Sequence, residues 1–141
     1  MKYLTTLLAA TLIWGASLSL SQAGQQNLQL TGAMETPPVT TKASGVATLN
    51  VDDTGVVSGG IKTKDIKSTA AHIHTGDLGA AGPVAITLEK AGKDQWMVPQ
   101  GAKLSVEQYA DFKKGKLYVN VHSKAHPDGE IRAQLEAPTS P

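Results

Sequence analysis

Apolar and polar residues alternate along most of this chain, in short stretches separated by glycine and proline. Residues 47–51 and 117–122 each carry an aliphatic side chain at every second position. Alternation with a period of two is typical of strands that bury one face. The same pattern predicts that Val84, Ile86 and Leu88 face the core together. Further runs of this kind cover residues 28–30, 56–63, 71–74 and 131–135. The chain is therefore predicted to be all-β, an antiparallel, Greek-key-like sandwich or barrel.

Two short motifs interrupt the alternation. The tract Asp52-Asp-Thr-Gly55 is rich in residues that favour tight turns, so we expect a hairpin there. Ser105 and Gln108 have the spacing of a capping box, which predicts one short helix over residues 106–114. We expect Val106, Tyr109 and Ala110 to form an apolar stripe through which this helix packs, with Phe112 outside that stripe.

Residues 1–23 are typical of an export signal. They contain an early lysine, a mostly apolar segment and a small-x-small cleavage site that ends at Ala23. We expect cleavage after this residue, which leaves one domain over residues 24–136 and a disordered tail over residues 137–141. The mature protein is therefore predicted to be periplasmic or secreted, without membrane contact after cleavage.

Composition narrows the range of functions. The chain has no cysteine, which excludes disulfides and thiolate metal sites. Its formal net charge is +1, and removal of Lys2 with the signal brings the charge of the mature protein near zero. Nucleic acids and anionic membranes attract proteins with a basic excess on one face. We therefore expect neither as a partner.

All four histidines fall in two pairs, His72 with His74 and His122 with His126. In a strand, residues i and i+2 lie on one face about 7 Å apart, and two imidazoles there can lean onto one ion. His72, His74 and His122 alternate with the aliphatic residues of their strands, so we expect them outside the core. If the two strands lie close together, the four histidines form one metal site at the rim of the sheet.

Imidazole nitrogen suits copper or zinc, whereas calcium and magnesium prefer oxygen. Asp77 and Glu130 flank the histidine pairs and are candidates to orient the imidazoles by hydrogen bonds. The alternative interpretation is four unconnected histidines on the surface or in turns. The clustering of every histidine into two pairs favours the metal site.

Several separate blocks of the sequence resemble one family, in the order in which they occur. They are Leu30-Thr-Gly-Ala-Met-Glu-Thr-Pro-Pro-Val39, Ala43-Ser-Gly-Val-Ala47, Ala71-His-Ile-His74, Ala81-Gly-Pro-Val84, and Gly115-Lys-Leu-Tyr-Val-Asn-Val-His122 with His126-Pro-Asp-Gly-Glu-Ile-Arg132. Together they resemble the chordin-type (CHRD) domain over about residues 28–135.

The resemblance implies an all-β sandwich of extracellular proteins. The family includes a developmental antagonist of secreted growth factors and many small exported bacterial proteins whose activity is largely undefined. The resemblance does not imply an enzyme. It makes Glu35 and Arg132 further candidates to support the site, because the family pattern carries them together with the histidines and Glu130.

Three functions are compatible with these features. The first is a non-catalytic protein that holds copper or zinc for storage, transfer or structural purposes. The second is an interaction module that binds another exported protein, with structural histidines. The third is a copper-dependent enzyme, because the His-x-His motif is loosely similar to copper/zinc superoxide dismutases. We expect the first function, and therefore no catalytic residues.

Overall fold

The alternating stretches form the strands of the computed structural model, which describes residues 24–139. The predicted signal, residues 1–23, and the last two residues of the predicted tail lie outside this part. No helix among residues 24–139 has the length and apolar character needed to cross a membrane. The elements are β1 (Gln25–Thr31), a 3-10 helix (Gly32–Met34), β2 (Ser44–Val51), β3 (Val57–Lys64), β4 (Ser68–Thr75), β5 (Val84–Thr87), β6 (Glu89–Gly92), β7 (Gln95–Met97), α1 (Val106–Lys113), β8 (Leu117–Ser123) and β9 (Ile131–Gln134).

The nine strands form one antiparallel sheet that curves into a nearly closed barrel. Their order is β5-β4-β8-β9-β1-β2-β3-β7-β6. Strands β1, β2 and β3 pair with their chain neighbours. In contrast, β4 pairs with β8, and β1 pairs with β9, across long stretches of sequence. The predicted all-β antiparallel fold with one short α-helix is confirmed.

Leu88 connects the two ends of the sheet. It is the single residue between β5 and β6, which are the first and last strands in the order. Its side chain is buried in the core, and its N–H donates to the carbonyl of Ala71 in β4 at 2.9 Å. The indole N–H of Trp96 in β7 donates to Ser68 Oγ of β4 at 3.0 Å. These contacts draw the terminal strands toward each other across the barrel.

The interior of the barrel is one hydrophobic core. Leu117, Val119 and Val121 of β8 are fully buried, as their alternation predicts. Burial of such a side chain contributes about 1.5–3 kcal/mol, so this lining is the main source of stability. The inner faces of the other strands contribute Leu28, Leu30, Ala47, Leu49, Val51, Ile61, Ala71, Ile73, Ile131 and Ala133.

The turn between β2 and β3 forms the predicted hairpin. Asp52 Oδ1 accepts hydrogen bonds from the backbone N–H groups of Thr54 and Val56, at 2.8 and 3.0 Å. Gly55 has a φ of +83°, a conformation that glycine adopts without strain. The Asp52–Gly55 tract therefore forms the turn through its side chain and backbone together.

Val84 departs from the predicted alternation. Ile86 and Leu88 are buried as expected, but Val84 is 47 % exposed. The pairing of β4 with β5 changes register between Ile73 and His74. A change of one residue in register moves a side chain to the opposite face of the sheet. The prediction that Val84 shares the inner face is therefore wrong.

The helix has the predicted cap but not the predicted packing. Ser105 Oγ accepts from the N–H of Gln108, and the Gln108 side chain accepts from the N–H of Ser105. The expected stripe is wrong, because Phe112 is buried and Val106 is 83 % exposed. A helix of two turns gives too few apolar positions for its periodicity to identify the buried side.

Candidate metal centre

The outer face of β4 and β8 brings the two histidine pairs close together. These strands are antiparallel neighbours, with His72 opposite Asn120 and His74 opposite Tyr118. His122 follows Asn120 by two residues and lies on the same face of β8. This face is the one opposite the aliphatic core. The adjacency of strands on which the predicted site depends is therefore present.

Three imidazoles meet on this face. One ring nitrogen from each of His72, His74 and His122 lies within 4.8 Å of the other two. Nδ1 of His72 and Nε2 of His122 are 2.9 Å apart. Nitrogens that share one ion at about 2.0–2.1 Å each lie about 3.3 Å apart, so small side-chain rotations would suffice. These three residues could hold a metal ion, and we call them the histidine trio.

A loop covers the histidine trio. His74 and His122 are buried, whereas His72 is partly exposed. Residues 76–83 connect β4 to β5, and the carbonyl oxygen of Gly82 lies 3.0 Å from Nδ1 of His74. The Gly82 N–H donates to the hydroxyl of Tyr118 at 3.1 Å, which holds the loop against β8. Solvent therefore approaches the trio from the side of His72.

Backbone carbonyls define the tautomers of two of these histidines. Nδ1 of His74 faces the carbonyl of Gly82, and Nδ1 of His122 faces the carbonyl of Pro127 at 2.8 Å. A carbonyl oxygen only accepts hydrogen bonds, so each Nδ1 carries the proton. The Nε2 atom of each neutral ring then has a lone pair. Hydrogen bonds from the second ring nitrogen orient imidazoles in many metal sites.

Two members of the histidine trio, His72 and His74, are biased toward the neutral form. Burial lowers the pKa of His72 below its usual value, and the neighbouring His122 and His74 lower it further. Burial also lowers the pKa of His74, and this effect exceeds the opposing hydrogen bonds to Gly82 and Asn120. Because a metal binds only the unprotonated nitrogen, these shifts favour metal binding.

Arg132 supports the trio from the neighbouring strand β9. The ring of Tyr118 stacks on that of His74, with centroids 4.7 Å apart and planes 2° apart. The guanidinium carbon of Arg132 lies 3.5 Å from the centroid of the Tyr118 ring. The same guanidinium donates to the carbonyls of Asp77 and Ala80, at 2.9 and 2.8 Å. Arg132 therefore holds both the aromatic neighbour of His74 and the covering loop.

Glu35 lies behind the trio and is 6 % exposed. It directly follows the 3-10 helix, and its Oε1 and the Nδ2 of Asn120 both lie close against Gly129. Burial raises the pKa of Glu35 above its usual value, although hydrogen bonds and the charge of Arg132 act in the opposite direction. Asn120 in turn lies 3.0 Å from Nε2 of His74. Asn120 therefore lies between Glu35 and His74.

The remaining predicted residues lie around the site. His126 is not part of the group of three, and its backbone N–H donates to Ser123 Oγ in the turn after β8 at 3.1 Å. The hydroxyl of Ser123 donates to Glu130. The Asp77 carboxylate pairs with Lys116 at 3.5 Å, and only its backbone carbonyl contacts Arg132. Asp77 and Glu130 thus stabilise the surrounding loops.

Some site residues were not predicted from sequence. Asn120 contacts His74, and its position on the polar face of β8, alternating with the aliphatic residues, was the one available indication. Gly82 and Pro127 act through backbone carbonyls, which a pattern of side chains does not reveal. The tertiary structure is needed to identify them.

Comparison with known proteins gives a family match. The family model of the CHRD domain matches residues 27–135, a span that includes the histidine trio, Arg132 and Glu35. No curated protein and no solved structure matches the chain.

Proposed function

The chain belongs to the CHRD domain family, and we propose that it binds a copper or zinc ion through His72, His74 and His122. The observation that carries the proposal is the convergence of three imidazoles from two strands beneath a covering loop. Carbonyl contacts hold two of these rings in the tautomer that leaves a lone pair on Nε2. Such pre-orientation lowers the cost of ordering the ligands around an ion.

The donor atoms support copper or zinc. Within residues 24–139, the group contains three imidazoles and no carboxylate. Imidazole binds copper and zinc well, whereas calcium and magnesium require oxygen ligands. The chain also lacks cysteine, so no thiolate competes for the ion.

Three protein ligands leave one coordination position open. Structural zinc sites usually have four protein ligands, and catalytic sites usually have three with a fourth position that a water or substrate occupies. The partly exposed His72 gives this open position an approach from solvent. An ion at such a position can be loaded and released, so we favour storage or transfer of the ion over a purely structural role.

Metal titration tests this function. The purified protein, with the signal removed, is titrated with Cu(II) and Zn(II) in competition with a chelator of known affinity. We expect one ion per chain with a dissociation constant below about 1 μM, a range that three oriented imidazoles can supply. The His122→Ala variant should bind at least about 100-fold more weakly.

His126→Ala is the matched control, because it removes a histidine of the same strand-turn region that lies outside the trio. It should bind the ion as the wild type does. The proposal fails if the wild type binds neither ion, or if His122→Ala binds as well as His126→Ala.

Export is part of the proposed function, because an exported protein can hold copper or zinc outside the reducing cytoplasm. The apolar segment and the small-x-small site before Gly24 support this proposal. Intact mass measurement of the protein recovered from the extracytoplasmic fraction should show a chain that begins at Gly24. Recovery of only the full-length chain in the cytoplasm would contradict export.

The open position also favours a second candidate, a copper-dependent oxidoreductase of the superoxide dismutase type. Such an enzyme needs a position at which a small substrate can reach the ion. Superoxide decay is measured with copper-loaded wild type, copper-loaded His126→Ala and free copper at equal concentration. Decay faster than that with free copper in both proteins would support this enzyme over a carrier.

A further inference from the structure

The three imidazoles of the histidine trio are not anchored equally. Nδ1 of His74 lies 3.0 Å from the carbonyl oxygen of Gly82, and Nδ1 of His122 lies 2.8 Å from that of Pro127. Among the residues that the structure describes, the ring of His72 has one hydrogen-bonding contact, from its Nδ1 to Nε2 of His122 at 2.9 Å. Two rings are therefore anchored to the backbone, and the third is anchored only to another member of the trio.

His74 is enclosed on further sides. The Tyr118 ring stacks on the ring of His74 with their planes 2° apart, and Oδ1 of Asn120 lies 3.0 Å from its Nε2. The hydroxyl of Tyr118 also accepts from the N–H of Gly82, the residue whose carbonyl contacts Nδ1 of His74. Both His74 and His122 are buried. A buried ring with a stacked neighbour and a contact at each nitrogen cannot turn without breaking several of these contacts.

The surroundings of His72 are more open. His72 is the partly exposed member of the trio. Ala70 precedes it by two residues on the same face of β4 and lies opposite His122 of β8. Its partner across the strand pair with β5 is Thr87, which is exposed. Cross-strand partners share one face of a sheet, so a small and a medium-sized side chain border His72 on the side away from the covering loop. Its imidazole therefore has room to rotate toward solvent.

We propose that His72 is the exchange ligand of the site: its imidazole turns outward to admit or release the ion, while His74 and His122 stay in place and hold it. This role rests on the proposed function, because it requires that the trio binds an ion. It deepens that function by assigning loading and release to one residue. The unequal anchoring of the rings belongs to the metal-free protein and is tested without an ion.

The contacts within the trio favour movement of His72 over movement of His74. An arriving ion must separate Nδ1 of His72 from Nε2 of His122, because these two atoms contact each other in the metal-free protein. Rotation of the His72 side chain separates them and breaks no contact with the backbone. Rotation of His74 would remove its contacts with Gly82 and Asn120. A buried polar group that loses its partner is costly, so His72 is the ring that moves.

Unequal anchoring also predicts unequal contributions to affinity. A side chain that is mobile before binding loses conformational freedom when it binds an ion, and this loss reduces its net contribution. A ring that the protein already holds in place loses less. His72 should therefore contribute less to metal affinity than His122 does, although both offer one imidazole nitrogen.

Nuclear magnetic relaxation of the imidazole rings in the metal-free wild type tests the anchoring directly. The rings of His74 and His122 should have order parameters near the value of about 0.85 that is typical of rigid backbone, and the His72 ring should lie below about 0.6. The measurement uses the folded wild type, so it does not depend on whether a variant folds. A His72 ring as ordered as the other two would overturn the proposal.

Two variants test the unequal contributions by zinc titration. His72→Ala should bind zinc no more than about tenfold more weakly than the wild type, whereas His122→Ala should lose at least about 100-fold. The ring signals of His74 and His122 should still shift when zinc is added to His72→Ala. An equal loss of affinity in the two variants would contradict the assignment of His72 and leave the metal site itself in place. Absence of zinc binding by the wild type would instead refute the proposed function.

Ala70→Leu tests the direction in which His72 moves. Leucine fills the space beside His72, so zinc release to excess chelator, followed by stopped flow, should slow by at least about fivefold, as for other gated ligand sites. Zinc affinity should change by less than about twofold, because no ligand is removed. Val46→Leu is the matched control, since it enlarges an exposed side chain on β2, away from the trio, and should keep the release rate of the wild type. Equal release rates in Ala70→Leu and Val46→Leu would contradict the outward movement of His72.

Discussion

Nδ1 of His72 lies 2.9 Å from Nε2 of His122, although the two residues are 50 positions apart in the chain. The contact exists because β4 and β8 are neighbours and the outer faces of both strands carry polar side chains. Since Nε2 of His122 is a lone-pair nitrogen, Nδ1 of His72 donates to it in the metal-free protein. An ion that binds both residues replaces this hydrogen bond.

Arg132→Lys tests the support that β9 gives to the site. Lysine keeps the charge, but it cannot stack flat on Tyr118 and donate to two loop carbonyls at the same time. Loss of hydrogen bonds from a buried charged group should reduce the free energy of unfolding by about 2–4 kcal/mol, measured by urea denaturation. Cleavage by protease within residues 76–83 should also become faster. A variant as stable as the wild type would show that these contacts contribute little.

Gly129→Ala tests the close packing behind Asn120. The added methyl group would overlap Glu35 Oε1 and lie 2.7 Å from Asn120 Nδ2, at a φ of +128°. Gly101→Ala is the control, because it has a φ of +78° and no atom within 4 Å of the added carbon. Gly101→Ala should lower the free energy of unfolding by about 1 kcal/mol through backbone strain alone. Gly129→Ala should lower it by at least about 2 kcal/mol more, as measured by thermal denaturation. Equal losses would argue against the close contact.

The pH dependence of stability should report on His74. The pKa of His74 is lowered in the folded protein from the usual 6.5. The contribution of His74 to the free energy of unfolding is therefore complete above that value, and it is lost as the pH falls through the lower pKa of the folded protein. His74→Gln removes this titration, so its free energy of unfolding should fall less steeply from about pH 7 to pH 5. Identical slopes in His74→Gln and the wild type would contradict the lowered pKa.

The local features of the fold follow from residue pattern, and the features that need distant partners do not. The alternation in β8 identifies both its aliphatic face and the face that carries His122. The capping box of α1 is equally visible in the sequence, because its partners are three residues apart. The pairing of β4 with β8 depends on the closure of the whole barrel. The spacing of residues in the sequence does not predict this pairing, so the metal site could be predicted only on the condition that the two strands are neighbours.

The residues of the site divide in the same way, into those that local spacing predicts and those whose positions depend on turns and bulges. The i and i+2 spacing of His72 and His74 predicts a shared face, and strand geometry enforces it. His126 follows His122 by four residues, and the turn after β8 takes it out of the group of three. The register change beside His74, which turns Val84 outward, has no counterpart in the residue pattern. Turns and bulges therefore limit what could be predicted about the site.

A crystal structure of the zinc-loaded protein, with data collected on both sides of the zinc absorption edge, tests the central claim most directly. We predict one anomalous peak per chain, about 2.0–2.1 Å from one ring nitrogen of each of His72, His74 and His122. His126 should remain outside the coordination sphere. No peak between β4 and β8, or zinc bound only at another place on the protein, would contradict the account.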